Sequence, residues 1–73
     1  MTARDALLVR LGRRCRQLRH ERGLSQLDMV RSHGFSLSHY QKLERGDLDA
    51  RISTLTRLAD AYGVSLPELF QGV

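Results

Sequence analysis

Apolar residues recur along this chain at the spacing of an α-helix rather than that of a strand. Near the start, Leu7, Leu11, Cys15 and Leu18 follow one another at intervals of four, four and three residues. That spacing places the four side chains on one face of a helix. No stretch alternates apolar and polar residues for long enough to form a strand. The pattern therefore predicts an all-α chain with a first helix at about residues 4–22.

Serine and glycine residues divide the rest of the chain into further helical segments. Ser25 and Ser65 are each followed three residues later by an acid, Asp28 and Glu68, as in a capping box. Ser36 can cap another helix in the same way. Glycines at positions 23, 34, 46 and 63 close the segments, where a residue with positive φ is commonly needed.

These boundaries predict a compact five-helix domain with one small core. We expect a helix-turn-helix at about residues 25–45, a fourth helix at about 51–62 and a short fifth helix at about 66–71. Either Asp49 or Arg51 stands at the start of the fourth helix. Its apolar face contains Ile52, Leu55, Leu58, Ala59 and Tyr62. A chain of 73 residues is long enough for one domain only.

The segment from Gln26 to Leu43 has the residue types that a helix-turn-helix needs at fixed offsets. Counted from Gln26, the fifth position is Val30, the ninth Gly34, the fifteenth Tyr40 and the eighteenth Leu43. The fifth must be slim where the two helices touch, the ninth must permit a turn, and the last two must be apolar to seat the second helix. The outer face of that second helix is then free to enter a groove of a nucleic acid.

The charge of the chain favours an anionic partner. Twelve basic and eight acidic side chains give a net charge of +4, and seven arginines stand in the first 22 residues. Nucleic acid is a common partner of a small basic domain. The single cysteine, Cys15, allows no internal disulfide, and no apolar run approaches the roughly 20 residues of a membrane helix. We therefore expect a cytoplasmic, nucleoid-associated protein with no membrane partner.

Three longer motifs make the assignment more specific. The segments "LRHERGLSQ", "KLERG" and "LTRLADAYGVSLPELF" resemble the lambda-repressor/Cro-type (XRE) helix-turn-helix family, and the resemblance covers roughly residues 10–70. It implies five helices, sequence-specific binding of double-stranded DNA, usually as a homodimer, and regulation of transcription. We expect a repressor that reads the major groove with the helix at residues 36–45. Its dimer surface would be the C-terminal segment around Leu66, Phe70 and Val73, or else the first helix.

The resemblance also implies roles for individual residues. Gln26 would contact a phosphate and brace the second helix of the motif, while Arg19 and Glu44 would form an internal ion pair. We expect the bases to be read by Ser36, Leu37, Ser38 and Lys42. We expect the phosphates to be held by Gln26, His39, Arg45 and Arg51.

Four positions need a separate interpretation. Leu37 stands where the family usually has a residue that hydrogen-bonds a base, and leucine can only pack against a thymine methyl group. Asp47 and Asp49 lie in the loop after the motif, where basic residues would neutralise phosphates, so we expect them to lower the affinity for DNA. Gly12 lies within the first helix and indicates a close approach by another helix or by the DNA backbone.

Other functions fit these residues less well. The same fold could serve as a protein-interaction module, such as an antitoxin or co-regulator, if Leu37 and Phe35 faced a partner, although Phe35 fits better as a plug of the turn. RNA binding would need exposed aromatic side chains for base stacking, whereas Tyr40, Tyr62 and Phe70 fit a core. The sequence contains no catalytic motif, no cofactor motif and no spacing typical of a metal site, and we expect none of these.

Overall fold

The computed structural model describes all residues from 1 to 73, and every regular element in it is a helix. In chain order these are α1 (Ala3–Glu21), α2 (Gln26–His33), α3 (Leu37–Arg45), α4 (Ile52–Tyr62) and α5 (Leu66–Leu69). The predicted all-α fold with five helices is confirmed. None of the helices is both long and apolar enough to cross a lipid bilayer.

Side-chain caps fix where four of the five helices begin. The capping residues are Thr2, Ser25, Ser36 and Ser65. Ser25 and Ser65 belong to complete capping boxes, as predicted. The N-cap of α4 is Arg51, which makes no side-chain capping hydrogen bond. α1 begins at Ala3, one residue earlier than predicted, because Thr2 is its cap. α3 and α4 begin one residue later than predicted, because Ser36 and Arg51 are extended N-cap residues and not the first residues of the helices.

The chain ends in a turn rather than in further helix. α5 stops at Leu69, not at about residue 71, because the amides of Gln71 and Val73 bond to carbonyls only three residues back. Phe70 and Val73 are half-buried and pack against the core from this turn. The C-terminal residues therefore cover one end of the domain.

The core draws on all five helices. Its buried side chains are Leu11, Cys15, Leu18, Met29, Phe35, Tyr40, Leu43, Leu55, Leu58, Tyr62 and Leu69. Two residues predicted for the buried faces lie outside it, since Leu7 is 40% exposed and Ile52 is 71% exposed. Gly46 and Asp49 approach the N-terminal half of α1, but nothing covers the side of that half where Leu7 lies. Ile52 is the first residue of α4, where the chain leaves an exposed loop.

A polar contact lies at the centre of this apolar core. The hydroxyl groups of Tyr40 on α3 and Tyr62 on α4 are 2.6 Å apart, and both residues are fully buried. Burial raises the pKa of both phenols, so they remain neutral and one donates to the other. Cys15 is buried beside them, and burial raises the pKa of its thiol to about 12. All three groups are therefore uncharged at neutral pH.

Candidate nucleic-acid interface

The backbone of α3 lies directly against α1. A Cβ added at Gly12 would lie 2.5 Å from the carbonyl oxygen of Glu44 and 2.7 Å from that of Leu43, at the C-terminal end of α3. One added at Gly46 would lie 2.8 Å from the Cα of Val9. No side chain fits in either place. The close approach expected at Gly12, by another helix or by DNA, is made by the helix α3.

A buried ion pair joins the same two helices. The Arg19 Nε donates to Glu44 Oε2 at 2.7 Å and its Nη2 donates to Oε1 at 3.1 Å. The two side chains are only 9% and 6% exposed. Arg19 also donates to the carbonyl of Leu24 at 2.9 Å, so its guanidinium connects α1, the loop before α2, and α3.

This pairing sets the charge of both groups. Burial on its own would raise the pKa of Glu44, but the hydrogen bonds from Arg19 and the nearby charge hold that pKa below its ordinary value. The hydrogen bond to Glu44 raises the pKa of Arg19. Both groups are thus ionised at neutral pH, and the pair stays closed.

Gln26, the first residue of α2, extends this network. Its Nε2 donates to Glu44 Oε1 at 3.2 Å, and its Oε1 accepts from Gln41 Nε2 at 3.4 Å. The N-terminus of α2 is therefore tied to the middle and the end of α3. Gln26 occupies the bracing position that the family resemblance implies for it, at the edge of an open surface.

The outward side of α3 is polar and free of other parts of the chain. Tyr40 and Leu43 face the core and are buried. The exposed residues of this segment are Ser36, Leu37, Ser38, Lys42 and Arg45. Five of the eight side chains predicted to face DNA therefore share one accessible surface.

Two of these five residues are partly engaged within the chain. The hydroxyl of Ser36 accepts from the amide of His39 at 3.2 Å as the N-cap of α3. Arg45 Nε donates to Asp47 Oδ2 at 3.2 Å, with both side chains about 60% exposed. The carboxylate of Asp47 therefore offsets part of the charge that Arg45 offers to an anionic partner.

The remaining predicted contacts lie around the start of α4. His39 is half-buried, with its ring stacked on Phe35 at 6.4 Å, and Arg51 is exposed. Both line an open cleft with Arg57, which lies 5.2 Å above the Phe35 ring. Ser53 and Thr54 of the first turn of α4 also line this cleft, together with Asp49. The start of α4 has no side-chain cap, and the positive end of a helix dipole attracts anions. Phe35 itself is buried, which makes it a plug of the turn.

Two further residues of this surface were missed by sequence reasoning. Arg16 and Gln41 line a second open cleft with Gln26 and Arg45, directly above the Arg19 ion pair. Arg16 precedes Arg19 by three residues and so shares its side of α1, which is a signal that the sequence contained. Nowhere in the chain do three or more His, Cys, Asp or Glu side chains gather as they would around a metal ion.

The chain is similar to several curated regulators. It is 37% identical over 65 residues to the HTH-type transcriptional regulator DdrOP3 of Deinococcus deserti, a match that covers 89% of this chain and 50% of that protein. It is 43% identical over 53 residues to the uncharacterized HTH-type transcriptional regulator y4dJ of Sinorhizobium fredii, covering 73% of this chain and 69% of that protein. The chain thus spans about half the length of the first relative.

A solved structure and a family model give the same assignment. The fold matches the restriction-modification controller protein C.AhdI of Aeromonas hydrophila with a TM-score of 0.82 and 34% identity, over 88% of this chain and 97% of that one. The family model described as "Helix-turn-helix domain" matches residues 10–70. The chain therefore belongs to the helix-turn-helix domain family, in agreement with its resemblance to lambda-repressor/Cro-type proteins.

Proposed function

We propose that this chain is a sequence-specific DNA-binding transcriptional regulator that acts as a repressor, in the cytoplasm and on the nucleoid. The observation that carries the proposal is the difference between the inner and the outer side of α3. Its inner side is fixed by a buried ion pair and by backbone contact with α1, while its outer side is polar and open. The names of DdrOP3 as a transcriptional regulator and of C.AhdI as a controller protein support it.

In this proposal α3 lies in the major groove and reads base edges. Ser38 and Lys42 project from its exposed side, and Ser36 stands at its N-cap. These side chains can donate hydrogen bonds to guanine or thymine acceptors. Leu37 is 38% exposed at the start of α3 and can contact the methyl group of a thymine. The operator is thus expected to contain a thymine opposite Leu37.

Phosphates are held at the two ends of α3. Near its C-terminal end lie Arg16, Gln26 and Arg45, and near its N-terminal end lie His39, Arg51 and the uncapped amides of α4. Arg16 and Arg51 make no ion pair within the chain, and Arg45 is only partly engaged by the exposed Asp47. With about three phosphates neutralised per subunit, the log–log dependence of affinity on salt should have a slope near −3 per subunit.

We also propose a homodimer on a two-fold-related operator. A dimer would place its half-sites about 34–36 Å apart and double the salt slope. The half-buried side chains of Leu66, Phe70 and Val73 support the C-terminal turn as the dimer surface, because each keeps part of its apolar area open to solvent. No cofactor and no catalytic step enter this proposal.

A selection from random duplexes tests the proposal directly. The purified chain is incubated with a duplex library at two salt concentrations, and the bound fraction is sequenced. We expect an enriched, two-fold-related motif and an affinity that falls with salt at the slope given above. Leu37→Ala should relax the preference for thymine without altering the salt slope. Recovery of no motif at low salt would reject the proposal.

A second candidate function is a protein-interaction module, and the exposure of Leu37 favours it. An apolar side chain at the start of a recognition helix suits a protein surface as well as a thymine methyl group. Charge reversal separates the two functions. If Lys42→Glu and Arg51→Glu leave repression of a reporter intact while Leu37→Asp abolishes it, α3 contacts a protein rather than DNA.

A further inference from the structure

The arginines at the start of the chain are not all used by the fold or by the proposed DNA interface. Four of the seven in the first 22 residues are held by acceptors within the chain, namely Arg4, Arg14, Arg19 and Arg22. Arg16 lies in the cleft beside α3. Arg10 and Arg13 are exposed and have no acceptor within the chain. Their charge therefore has no partner in the structure.

The two free arginines belong to a groove that faces away from α3. Successive residues of a helix are about 100° apart, so Arg10 and Arg14, two positions to either side of Gly12, project from the opposite side of α1. Gly12 is the residue that touches α3. Arg10, Arg13, Arg14 and Gln17 form one wall of the groove, and Gln71 and Gly72 form the other.

Arg14 is fixed in position within this groove. Its Nη2 donates to the carbonyl of Glu68 at 2.8 Å and its Nη1 donates to Gln17 Oε1 at 3.4 Å. A guanidinium held in this way has lost part of its freedom before any partner arrives, which lowers the entropy lost on binding. The free guanidinium groups of Arg10 and Arg13 can each donate two hydrogen bonds to one carboxylate.

We propose that this groove binds a short acidic segment of a partner protein, which presents two or three carboxylates at helical spacing. The residues from Arg10 to Gln17 extend over about 10 Å of helix, which is the length of two turns of a partner helix. Gln17 and the backbone of Gln71 and Gly72 add neutral hydrogen-bonding groups that suit a peptide. The proposal does not depend on DNA binding by α3, but it requires that a dimer contact through Leu66, Phe70 and Val73 leave Gln71 and Gly72 accessible.

The borders of the groove favour a peptide over a second duplex. Glu21 accepts from Gln17 at 3.2 Å beyond one end. Glu68 accepts from Arg14 through its backbone carbonyl, and its carboxylate is near enough to feel the charge of Arg14. Duplex DNA has one negative charge per roughly 1.7 Å of its axis, so it would meet these carboxylates as well as the arginines. A partner with two or three carboxylates would meet the arginines alone.

Fluorescence anisotropy with the full chain tests the proposal. The probe is a labelled 16-residue helical peptide with glutamates at positions i, i+3 and i+7, and a peptide with glutamines in their place is the control. The variant R10E/R13E is compared with R31E/K42E, which has the same net charge, and Arg31 is exposed and has no partner. The affinity of both variants for a 20-base-pair random-sequence duplex is measured in the same way.

We expect the glutamate peptide to bind at least tenfold more tightly than the glutamine peptide. R10E/R13E should lose about tenfold in peptide affinity, because each reversal replaces an attraction by a repulsion. R31E/K42E should lose less than threefold for the peptide and more than R10E/R13E for the duplex. Equal peptide affinities of the two variants would overturn the proposal, and so would a larger loss of duplex binding in R10E/R13E. If the double reversal lowers the urea midpoint, R10Q/R13Q replaces it, with a threefold expected loss.

Discussion

At the α1–α3 seam, formed by Gly12, Arg19, Glu44 and Gly46, backbone touches backbone and a charged pair is almost fully covered. The rim from Arg45 to Arg51, on the side proposed to face DNA, is built differently. Its two ion pairs, Arg45 with Asp47 and Asp49 with Arg4, are 60–69% exposed, and the helix that follows it starts without a side-chain cap.

This difference separates the groups that fix the position of α3 from the groups that set its affinity for DNA. At the seam, the glycines lie against backbone atoms and the charged groups are buried, so substitutions there should change folding. On the rim, side chains end in solvent, so substitutions should change binding with little effect on folding. The following predictions test that separation, from the largest expected effect to the smallest.

Removing the charge of Glu44 should have the largest effect. In Glu44→Gln the guanidinium of Arg19 stays buried without its counter-charge, and leaving one charge of a buried pair unpaired costs about 3 kcal/mol or more. The free energy of unfolding, from urea titration, reports the loss. Glu21→Gln is the matched control, because that exposed carboxylate should change stability by less than about 0.5 kcal/mol. A Glu44→Gln variant as stable as the control would contradict the role of the seam.

The same carboxylate makes a pH-dependent contribution. Because the folded state holds the pKa of Glu44 below its ordinary value, Glu44 stabilises the fold fully above its unfolded pKa of about 4.3. That contribution is lost as the pH falls through the lower folded value. Urea titrations between neutral and acid pH should therefore show a steeper loss of stability in the wild type than in Glu44→Gln. Parallel curves would show that Glu44 is not the group that titrates.

Adding one methyl group at Gly12 should have the next largest effect on stability. Gly12→Ala places its Cβ 2.5 Å from a backbone oxygen of Glu44, and overpacking of this kind costs about 1–3 kcal/mol. The gain in helix propensity of about 1 kcal/mol offsets part of it, so we expect a net loss of up to about 2 kcal/mol by urea titration. The same variant should weaken duplex binding, since α3 must move. Arg13→Ala, exposed on the same helix, should leave both quantities unchanged.

Arg51 offers a change in which stability and affinity move in opposite directions. Arg51→Ser supplies the missing cap of α4 and should stabilise the fold by about 1 kcal/mol. It also removes one proposed phosphate contact, which should reduce the salt slope by about one. Arg51→Ala should give the same loss of affinity with no gain in stability. If Arg51→Ser and Arg51→Ala weaken the fold equally, the serine does not cap α4, and the helix start already has another capping group in solution.

The smallest effect is expected at Asp47. Asp47→Asn releases Arg45 from its exposed pair and should change stability by less than about 0.5 kcal/mol, since such pairs contribute little. The affinity for the selected duplex should rise roughly threefold, because one more charge becomes available to phosphate. Asp60→Asn, on the far end of α4, is the control for net charge. An equal gain in both variants would assign the effect to net charge alone.

The local signals of this fold were predictable from the sequence because they act within a few residues. Ser25 and Ser65 cap their helices through acids three residues away, and Gly34 ends α2 with a φ of 74°. Each of these depends on chemistry inside one turn of chain. The turn at Gly34 also needed no knowledge of the rest of the molecule.

Features that depend on distant neighbours were less predictable. Leu7 continues the apolar face of α1, but its exposure is decided by whether another helix covers it. Gln41 lies in the candidate interface because Gln26, 15 residues earlier, approaches it across the turn. The pairing of Arg45 with Asp47 depends on the course of the loop after α3.

The tyrosine pair in the core has a consequence for how this sequence can change over time. Replacing Tyr62 by phenylalanine would remove the contact that the Tyr40 hydroxyl makes with it, and Tyr40→Phe would do the same to Tyr62. Loss of such a partner by a buried hydroxyl costs about 1–3 kcal/mol, whereas losing both hydroxyls together is close to neutral. Related proteins should therefore keep two tyrosines or two phenylalanines at these positions and seldom one of each. Because Tyr40 belongs to α3, a substitution at Tyr62 would also remove a contact that holds the helix proposed to recognise DNA.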